Sequence, residues 1–538
     1  MNAVEIKENP APLETQIETK VASKSGGKGS SQILSNVLMN WVAFMVTLLT
    51  GFFMSPFLVR QLGESVYGVW LLIGSLTGYL GLLDLGITPS IVKYIAEHRE
   101  RGDQEAINRV VTAGIAIFSL IGLVSLVASG VVALYFNDIF HLAPAVLAPG
   151  TAAIVVLLTG LNLALAFPAS VFVGVVYGYQ RYDVNATINT IGIPVRCGLI
   201  VWTLSHGYGL VTLAVLTLIF DLSRLIYLTR WALRLNPALH ISRSHLNRAT
   251  VRQLVNYSAS IFLIKIAYQI NFTADSIVIG IYLSAAAVTA YFVAARLTLY
   301  LRQLVGEMVG VLTPTISGLD ARRDNQGIRD LLSLSTKYTL LLALPPGAVF
   351  LVLGDVFIAL WMGPHFQSSA LFLRILTIAI LVHLFEMPIQ VVLRGLGKHH
   401  IVARLTLLQA ATNLLLTLIL ARTPLQLTGV ALATAISMLG FAVFAIPLYL
   451  RRYLEIPIGE HLRRAALPAL AVQIPFVGLL LLMRATLPSP SLLIFFVQLA
   501  VLLIPYGVLV YLFCMTAAER LTFLRFARKL GLKSARAS

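Results

Sequence analysis

The 538 residues are 58% hydrophobic and only 12% charged, with a mean hydropathy of +0.85. A water-soluble chain of this length needs a far more charged surface, so soluble enzymes and nucleic-acid-binding proteins are excluded. Apolar runs of about 20 residues or more, the length that crosses ~30 Å of hydrocarbon, predict an all-α polytopic membrane protein. The net charge of +17 then reads as positive-inside bias and contact with anionic lipid, not as affinity for nucleic acid.

Residues 1–32 are polar and end in KSGGKGSS. This composition predicts a disordered cytoplasmic tail without a cleavable signal. Fourteen spans follow, at roughly 33–59, 66–87, 110–136, 151–176, 185–204, 207–228, 255–282, 288–314, 335–353, 369–393, 401–420, 425–450, 465–484 and 491–516. With the N-terminus inside, the inner segments hold 31 of the 40 Lys and Arg, and the outer loops hold three: Arg60, Arg422 and Arg484. That asymmetry requires an even number of spans with both termini cytoplasmic. The one long loop, TRWALRLNPALHISRSHLNRATVRQL at 229–254, is basic and amphipathic and reads as a connector lying on the membrane surface. It separates a six-helix lobe (33–228) from a second (255–452). Two additional spans (453–518) and a basic tail (519–538) complete the chain. The two-lobe plan rests on span counts alone, because no residue-level repeat between the halves is evident.

The chain has no GxxxxGK[ST], HExxH or CxxC, so P-loop nucleotide binding and the usual zinc and redox sites are absent. Cys197 and Cys514 both fall inside apolar runs, and the His399–His400 pair suits a basic loop better than a metal site. No cofactor or metal is expected, nor enzymatic activity; a lipid-modifying enzyme would need a reactive cluster at a membrane face. Transport is the default.

Ionisable groups within spans are costly and normally face an interior or a watery cavity. At ~100° per residue, offsets of 4, 7 and 11 fall on one helix face. Five stripes satisfy this: Arg296, Tyr300, Gln303 and Glu307; Asn185, Asn189 and Arg196; Asn36, Asn40 and Thr47; Lys265, Gln269 and Ser276; and His383, Glu386 and Gln390. Each can be simple interhelical glue. Taken together they predict a shared polar cavity in which Arg196, Lys265 and Arg296 would bind diphosphate and Asn40, Asn185, Asn189, Gln269, Tyr300 and Gln303 would bind sugar hydroxyls. The acids Asp275, Glu307 and Glu386, with His383, are candidates for ion coupling, Glu386 being preferred; Asp275 and Arg302 lie off the stripes.

Asp84 closes the second span. Gly86 permits a break there, and Thr88 and Pro89 have the form of an N-cap and first helical residue for PSIVKYIAEHRER, an amphipathic surface helix. Asp84 would then stand at an elbow on the inner face, accepting freed backbone N–H groups or pairing with a base such as Arg181. A gate, ion coupling and sugar contact all remain open for it.

With these residues placed, LGESVYGVWLLIGSLTGYLGLLDLGITPSIVKYIAEH (62–98) resembles the early segment of polysaccharide and O-antigen flippases of the multidrug/oligosaccharidyl-lipid/polysaccharide exporter superfamily, through Gly63, Tyr67, Gly68, Asp84, Leu85, Gly86 and Ala96–Glu97. GVVYGYQRYDVNATIN (174–189) and ADSIVIGIYLSAAAVTAYFVAARL (274–297) resemble later segments, and Pro314 ends the following span as in relatives. The polar N-terminal tail departs from the pattern. The resemblance implies a polyprenyl-diphosphate-linked oligosaccharide as cargo, flipped from the inner to the outer leaflet of a bacterial inner membrane by alternating access of two lobes. It also implies coupling to Na⁺ or H⁺ in some members, and polysaccharide assembly proteins as partners. A drug or metabolite antiporter of the same superfamily is the alternative.

Overall fold

The computed structural model describes residues 28–517 and 519–521; the side chains of residues 28–40, 259–261 and 264 are not described. The expected tails at 1–27 and 522–538 lie outside the described residues. Among those described, the chain is helical, without strands. The first lobe contains α1 (Lys28–Leu62), α2 (Glu64–Gly81), α3 (Ile87–Glu100), α4 (Gln104–Ile139), α5 (Thr151–Gly178), α6 (Tyr182–Ser205) and α7 (Leu210–Leu235). The second contains α8 (Arg248–Tyr282), α9 (Ala285–Gly310), α10 (Thr313–Ala321), α11 (Asn325–Trp361), α12 (Ser369–Gly395), α13 (His399–Leu420) and α14 (Gln426–Pro447); α15 (Leu467–Thr486) and α16 (Leu492–Leu509) follow. The first helix begins at Lys28, inside the stretch expected to be tail.

Twelve segments of the described chain are long and apolar enough to cross a membrane. The two expected spans missing from that set are α8 and α9. Both are long enough, at 35 and 26 residues, but they carry Lys265 and Asp275, and Arg296, Arg302 and Glu307. α8 is interrupted in that set by the side chains at 259–261 and 264 that lie outside the described residues, whereas α9 is less apolar through its own charges. They are the two helices that contribute most of the polar side chains to the cavity described below.

The packing repeats between lobes. α1 packs on α6 as α8 does on α13; α4 on α5 as α11 on α12; and α5 on α7 as α12 on α14. A short residue repeat accompanies it. Thr88-Pro89-Ser90-Ile91 opens α3 and Thr313-Pro314-Thr315-Ile316 opens α10. Ile91 lies where a Cβ on Gly174 of α5 would stand 2.7 Å from it, and Ile316 sits likewise at 2.6 Å over Gly395 of α12. Each surface helix is followed by an aspartate N-cap, Asp103 accepting from Ala106 N–H (2.9 Å) and Asp324 from Gly327 N–H (2.8 Å). This corrects the sequence reading that no residue-level repeat is evident: a match at three of four positions, 225 residues apart, gains meaning only from its shared elbow.

The connector departs from expectation. It is not one amphipathic surface segment: α7 runs on to Leu235, α8 starts at Arg248, and the piece between is pinned to α4. Gln104 Nε2 donates to Ala238 O (3.2 Å), and His240 N–H donates to Asn108 Oδ1 (3.0 Å).

Lipid tails are as apolar as leucine, so contacts between lobes depend on close packing and hydrogen bonds at roughly 0.6 kcal/mol apiece. On the face opposite the basic loops, taken as outer, α2 and α9 meet so closely that a Cβ on Gly68 would collide with the Ala285 backbone carbonyl. Thr289 Oγ1 donates to Glu64 O (2.7 Å), and the Trp361 indole donates to Phe52 O (2.9 Å) while stacking on the Phe52 ring. The ends of α1, α2, α9 and α11 are thus sealed there. Toward the basic face, Gln303, Glu307 and Gly310 of α9 are exposed.

The orientation has a direct check. Asn137→Cys and Ser284→Cys, both at exposed positions on the face taken as outer, are expected to react with an impermeant maleimide in intact cells, and Ser244→Cys only after permeabilisation. The reverse pattern overturns the orientation.

Candidate functional site between the lobes

A cavity of about 430 Å³ lies between α2 of the first lobe and α8, α9, α12 and α14 of the second. Trp70, Gly74 and Gly78 form one wall; Gln269, Asp275, Ser276, Phe292 and Arg296 supply most of the opposite one. Gly78 is a space requirement: a Cβ there would stand 2.6 Å from Gln269 Nε2.

Arg296 is the cation of this cavity. Its guanidinium lies over the rings of Tyr300 (4.8 Å) and Phe292 (5.6 Å), which hold it without neutralising it. Its Nε is buried and meets no acceptor among the described residues. The buried Tyr300 hydroxyl is likewise without a partner. Gln303 and Glu307 continue the stripe as exposed groups toward the basic face.

Asp275 lies in the wall, 6% exposed. It accepts hydrogen bonds from the Tyr291 hydroxyl (2.6 Å), Thr434 (3.0 Å) and Thr417 (3.3 Å), one group from each of α9, α14 and α13. One turn away on α8 and α13, the carbonyl oxygens of Asn271 and Asn413 are buried and unpartnered. A carboxylate, three hydroxyls and two free amide oxygens are the donor set of a small hard cation or a proton. Asp275 is one of the acids the sequence offers for ion coupling, but its partners, a tyrosine and two threonines on other helices, are not legible there.

Asp84 sits at the expected elbow. Leu85 and Gly86 are left-handed (φ 50° and 76°), a conformation that glycine adopts freely and that costs leucine about 1–2 kcal/mol. Asp84 Oδ1 accepts from the Thr88 hydroxyl (2.8 Å) and backbone N–H (3.3 Å). Its other oxygen pairs with Lys265 of α8, across the lobes. Two readings are corrected here. Arg181 is not the partner, since its fork closes on Asp183 at 2.9 Å two residues away. Lys265 is a lobe-to-lobe contact and does not line the cavity.

Other candidates are dispersed. Asn185 of α6 is bound to Tyr177 (2.8 Å) and Arg224 (3.1 Å) inside the first lobe. Asn189 and Arg196, also on α6, are half-buried and away from the cavity lining. Asn36 and Asn40 have side chains outside the described residues. Glu386 is buried behind the lining and accepts from Gln390 (2.8 Å); His383 packs edge-on against Phe272 instead of reaching Glu386.

Comparison with known proteins adds the following. A family model described as polysaccharide biosynthesis protein matches residues 33–320. The chain is 23% identical over 389 residues to the uncharacterized membrane protein EpsK of Bacillus subtilis, covering 70% of this chain and 74% of that protein. It is 24% identical over 368 residues to the probable low-salt glycan biosynthesis flippase Agl15 of Haloferax volcanii, covering 67% and 71%. Among solved structures, the lipid II flippase MurJ in an inward closed conformation superimposes with a TM-score of 0.70 at 15% identity, over 92% of this chain and 99% of that one. An inward-facing multidrug resistance MATE family transporter of the MOP superfamily gives 0.65 at 15% identity, over 77% and 94%. These likenesses to solved structures establish the fold.

Proposed function

Since the chain belongs to the polysaccharide biosynthesis protein family, and is therefore a membrane transport protein rather than an enzyme, we propose that it flips a polyprenyl-diphosphate-linked oligosaccharide from the inner to the outer leaflet. The observation that carries this reading is Arg296: a guanidinium in the inter-lobe cavity, held by aromatic rings, with its buried Nε unpartnered. An unneutralised guanidinium beside Gln269 and Ser276 suits a doubly anionic diphosphate attached to a sugar. The cavity, at about 430 Å³, holds that junction and not a whole oligosaccharide, so the lobes must part to pass the cargo. The sealed end and the exposed stripe of Gln303, Glu307 and Gly310 on the other half of α9 support an alternating-access cycle entered from the basic face. Asp275 is the preferred coupling site, for Na⁺ or H⁺, in place of Glu386, because it alone of the two lines the cavity.

Deletion of the gene tests the cargo: a lipid-linked oligosaccharide is expected to accumulate on the inner leaflet. Normal glycans with new drug sensitivity would instead favour the antiporter, for which the caged Asp275 is the supporting feature. In the same assay, Arg296→Ala is expected to lower flux about tenfold or more, the worth of one charge-assisted contact of ~1.5–3 kcal/mol. Arg296→Lys should recover only part, since the planar fork is lost. Wild-type flux from a normally inserted Arg296→Ala protein rules out the cationic site.

A further inference from the structure

We infer that the second lobe carries a phosphoethanolamine site on the basic face of the protein, apart from the cavity between the lobes. The first lobe shows what fills the matching place there. The chain leaving α7 is fastened to the start of α4: Gln104 Nε2 donates to Ala238 O, and Asn108 Oδ1 accepts from His240 N–H. In the second lobe Asn325 and Arg329 of α11 stand 221 positions after Gln104 and Asn108, the interval that also separates the caps Asp103 and Asp324 and the glycines Gly174 and Gly395. The chain leaving α14 passes this point at residues 453–456. Among the described residues no hydrogen bond joins it to the side chains of Asn325 or Arg329. A cavity of about 210 Å³ stands there instead, lined by Asn325 and Arg329, by Asp320 of α10, by Lys398 after α12, and by Tyr453 and Glu455.

The recess holds two charges of each sign, and among the described residues none is in an ion pair. Arg329 is half-buried, and its Nε is enclosed without an acceptor. Lys398, also half-buried, gives one hydrogen to Tyr453 O (2.9 Å) and lies 5.8 Å from the centre of that ring. Its ammonium has two more hydrogens to give. Asp320 and Glu455 are exposed. The neighbouring acids are already engaged: Asp324 accepts from Gly327 N–H, and Asp330 is bonded to Gln326 (3.0 Å) and lies 3.8 Å from Arg464.

A guanidinium without an acceptor and an ammonium with free donors, in one small recess, suit a phosphate group. A bare phosphate would also meet the two carboxylates, and their repulsion would weaken it. A ligand that carries its own ammonium a few bonds from the phosphate leaves no charge over. Its phosphate oxygens would take Arg329 and Lys398, and its ammonium Asp320 and Glu455. The Asn325 amide can donate to one end or accept from the other. Phosphoethanolamine has this form. It occurs as a free phosphate ester and as a lipid headgroup, and basic recesses between helices at a membrane face are places where headgroups bind. The first lobe cannot offer the same site, because backbone fills it and Asn108 stands where the guanidinium would be needed.

Calorimetric titration of the purified full-length protein in detergent tests this without reference to transport. The probes are O-phosphoethanolamine, dihexanoyl phosphatidylethanolamine below its micelle concentration, and inorganic phosphate. At least one ethanolamine probe is expected to bind about tenfold or more tightly than inorganic phosphate. Binding of the short-chain lipid alone supports the site with a lipid as its source; binding of the free ester, with or without the lipid, supports it with a soluble source. Arg329→Gln should weaken every probe about tenfold or more. Asp320→Asn/Glu455→Gln should weaken the ethanolamine probes by a similar factor and leave inorganic phosphate unchanged or tighter. Failure of both ethanolamine probes to bind the wild type overturns the proposal, as does inorganic phosphate matching them. Wild-type affinity in Arg329→Gln overturns it too. Should that variant fail to fold, the double variant, altered only at exposed positions, decides alone: an unchanged preference for ethanolamine overturns the site.

Discussion

Removing either charge of the Asp84–Lys265 pair is expected to cost about tenfold in translocation, and removing both together is expected to recover most of that loss. The pair joins the end of α2 to α8, so it bridges elements of the two lobes that would move relative to each other in the proposed alternating cycle. Its side chains are 16% and 37% exposed. Loss of one partner from a fully buried pair costs about 3–5 kcal/mol. Solvent screening around Lys265 reduces this to about 1–2 kcal/mol, close to tenfold in the population of this state. Asp84→Asn keeps an oxygen for the Thr88 hydroxyl and N–H but strands Lys265. Lys265→Gln strands Asp84. In Asp84→Asn/Lys265→Gln neither charge is left over, so the double variant should lie closer to wild type than either single one. Asp84→Leu also loses the elbow bonds and should lower protein levels as well. The cycle is read from flux per inserted molecule. Strictly additive losses would show that the pair is not a coupled unit, and that Asp84 serves its own elbow alone.

The elbow was legible because its signals are local, a carboxylate, a glycine free to adopt positive φ and an amphipathic helix, but the cap was misplaced: the helix starts at Ile87 with Gly86 at its N-cap, and Thr88 lies inside it, donating to Asp84. The polar stripe on α9 was legible for the same reason, as helical spacing along one segment reports one face. What escaped is what depends on distance in sequence. Lys265 reads as a cavity cation on its own helix, and only the fold brings it to Asp84, 181 positions away. Asp275 reads as off-stripe, yet its hydroxyl partners come from three other helices. Arg196 and Asn185 have the right spacing, but α6 packs on α1 and α7, and its stripe serves the first lobe's interior.

Asp275→Asn is expected to abolish the dependence of flux on an ion gradient while leaving insertion and fold intact. The amide is nearly isosteric with the carboxylate, so packing around Tyr291, Thr417 and Thr434 survives. What is lost is the negative charge that a cation needs in a cavity whose other charged lining group is the cation Arg296. Hydrogen bonds to a charged group are worth about 1.5–3 kcal/mol each, so deleting one hydroxyl changes occupancy of the site by roughly 10–100-fold. The hydroxyl variants separate the ions. Each threonine oxygen can turn its lone pairs toward a metal cation, so in a Na⁺-driven protein Thr417→Val or Thr434→Val should raise the Na⁺ concentration needed for half-maximal flux by that factor, and Thr434→Ser should restore it. In a proton-driven protein the same variants leave Na⁺ without influence and flux still follows an imposed pH jump. Proteoliposomes given each gradient in turn distinguish these outcomes. Gradient-dependent flux at the wild-type level in Asp275→Asn would remove Asp275 from the coupling site and return Glu386, buried beside Gln390, to first place.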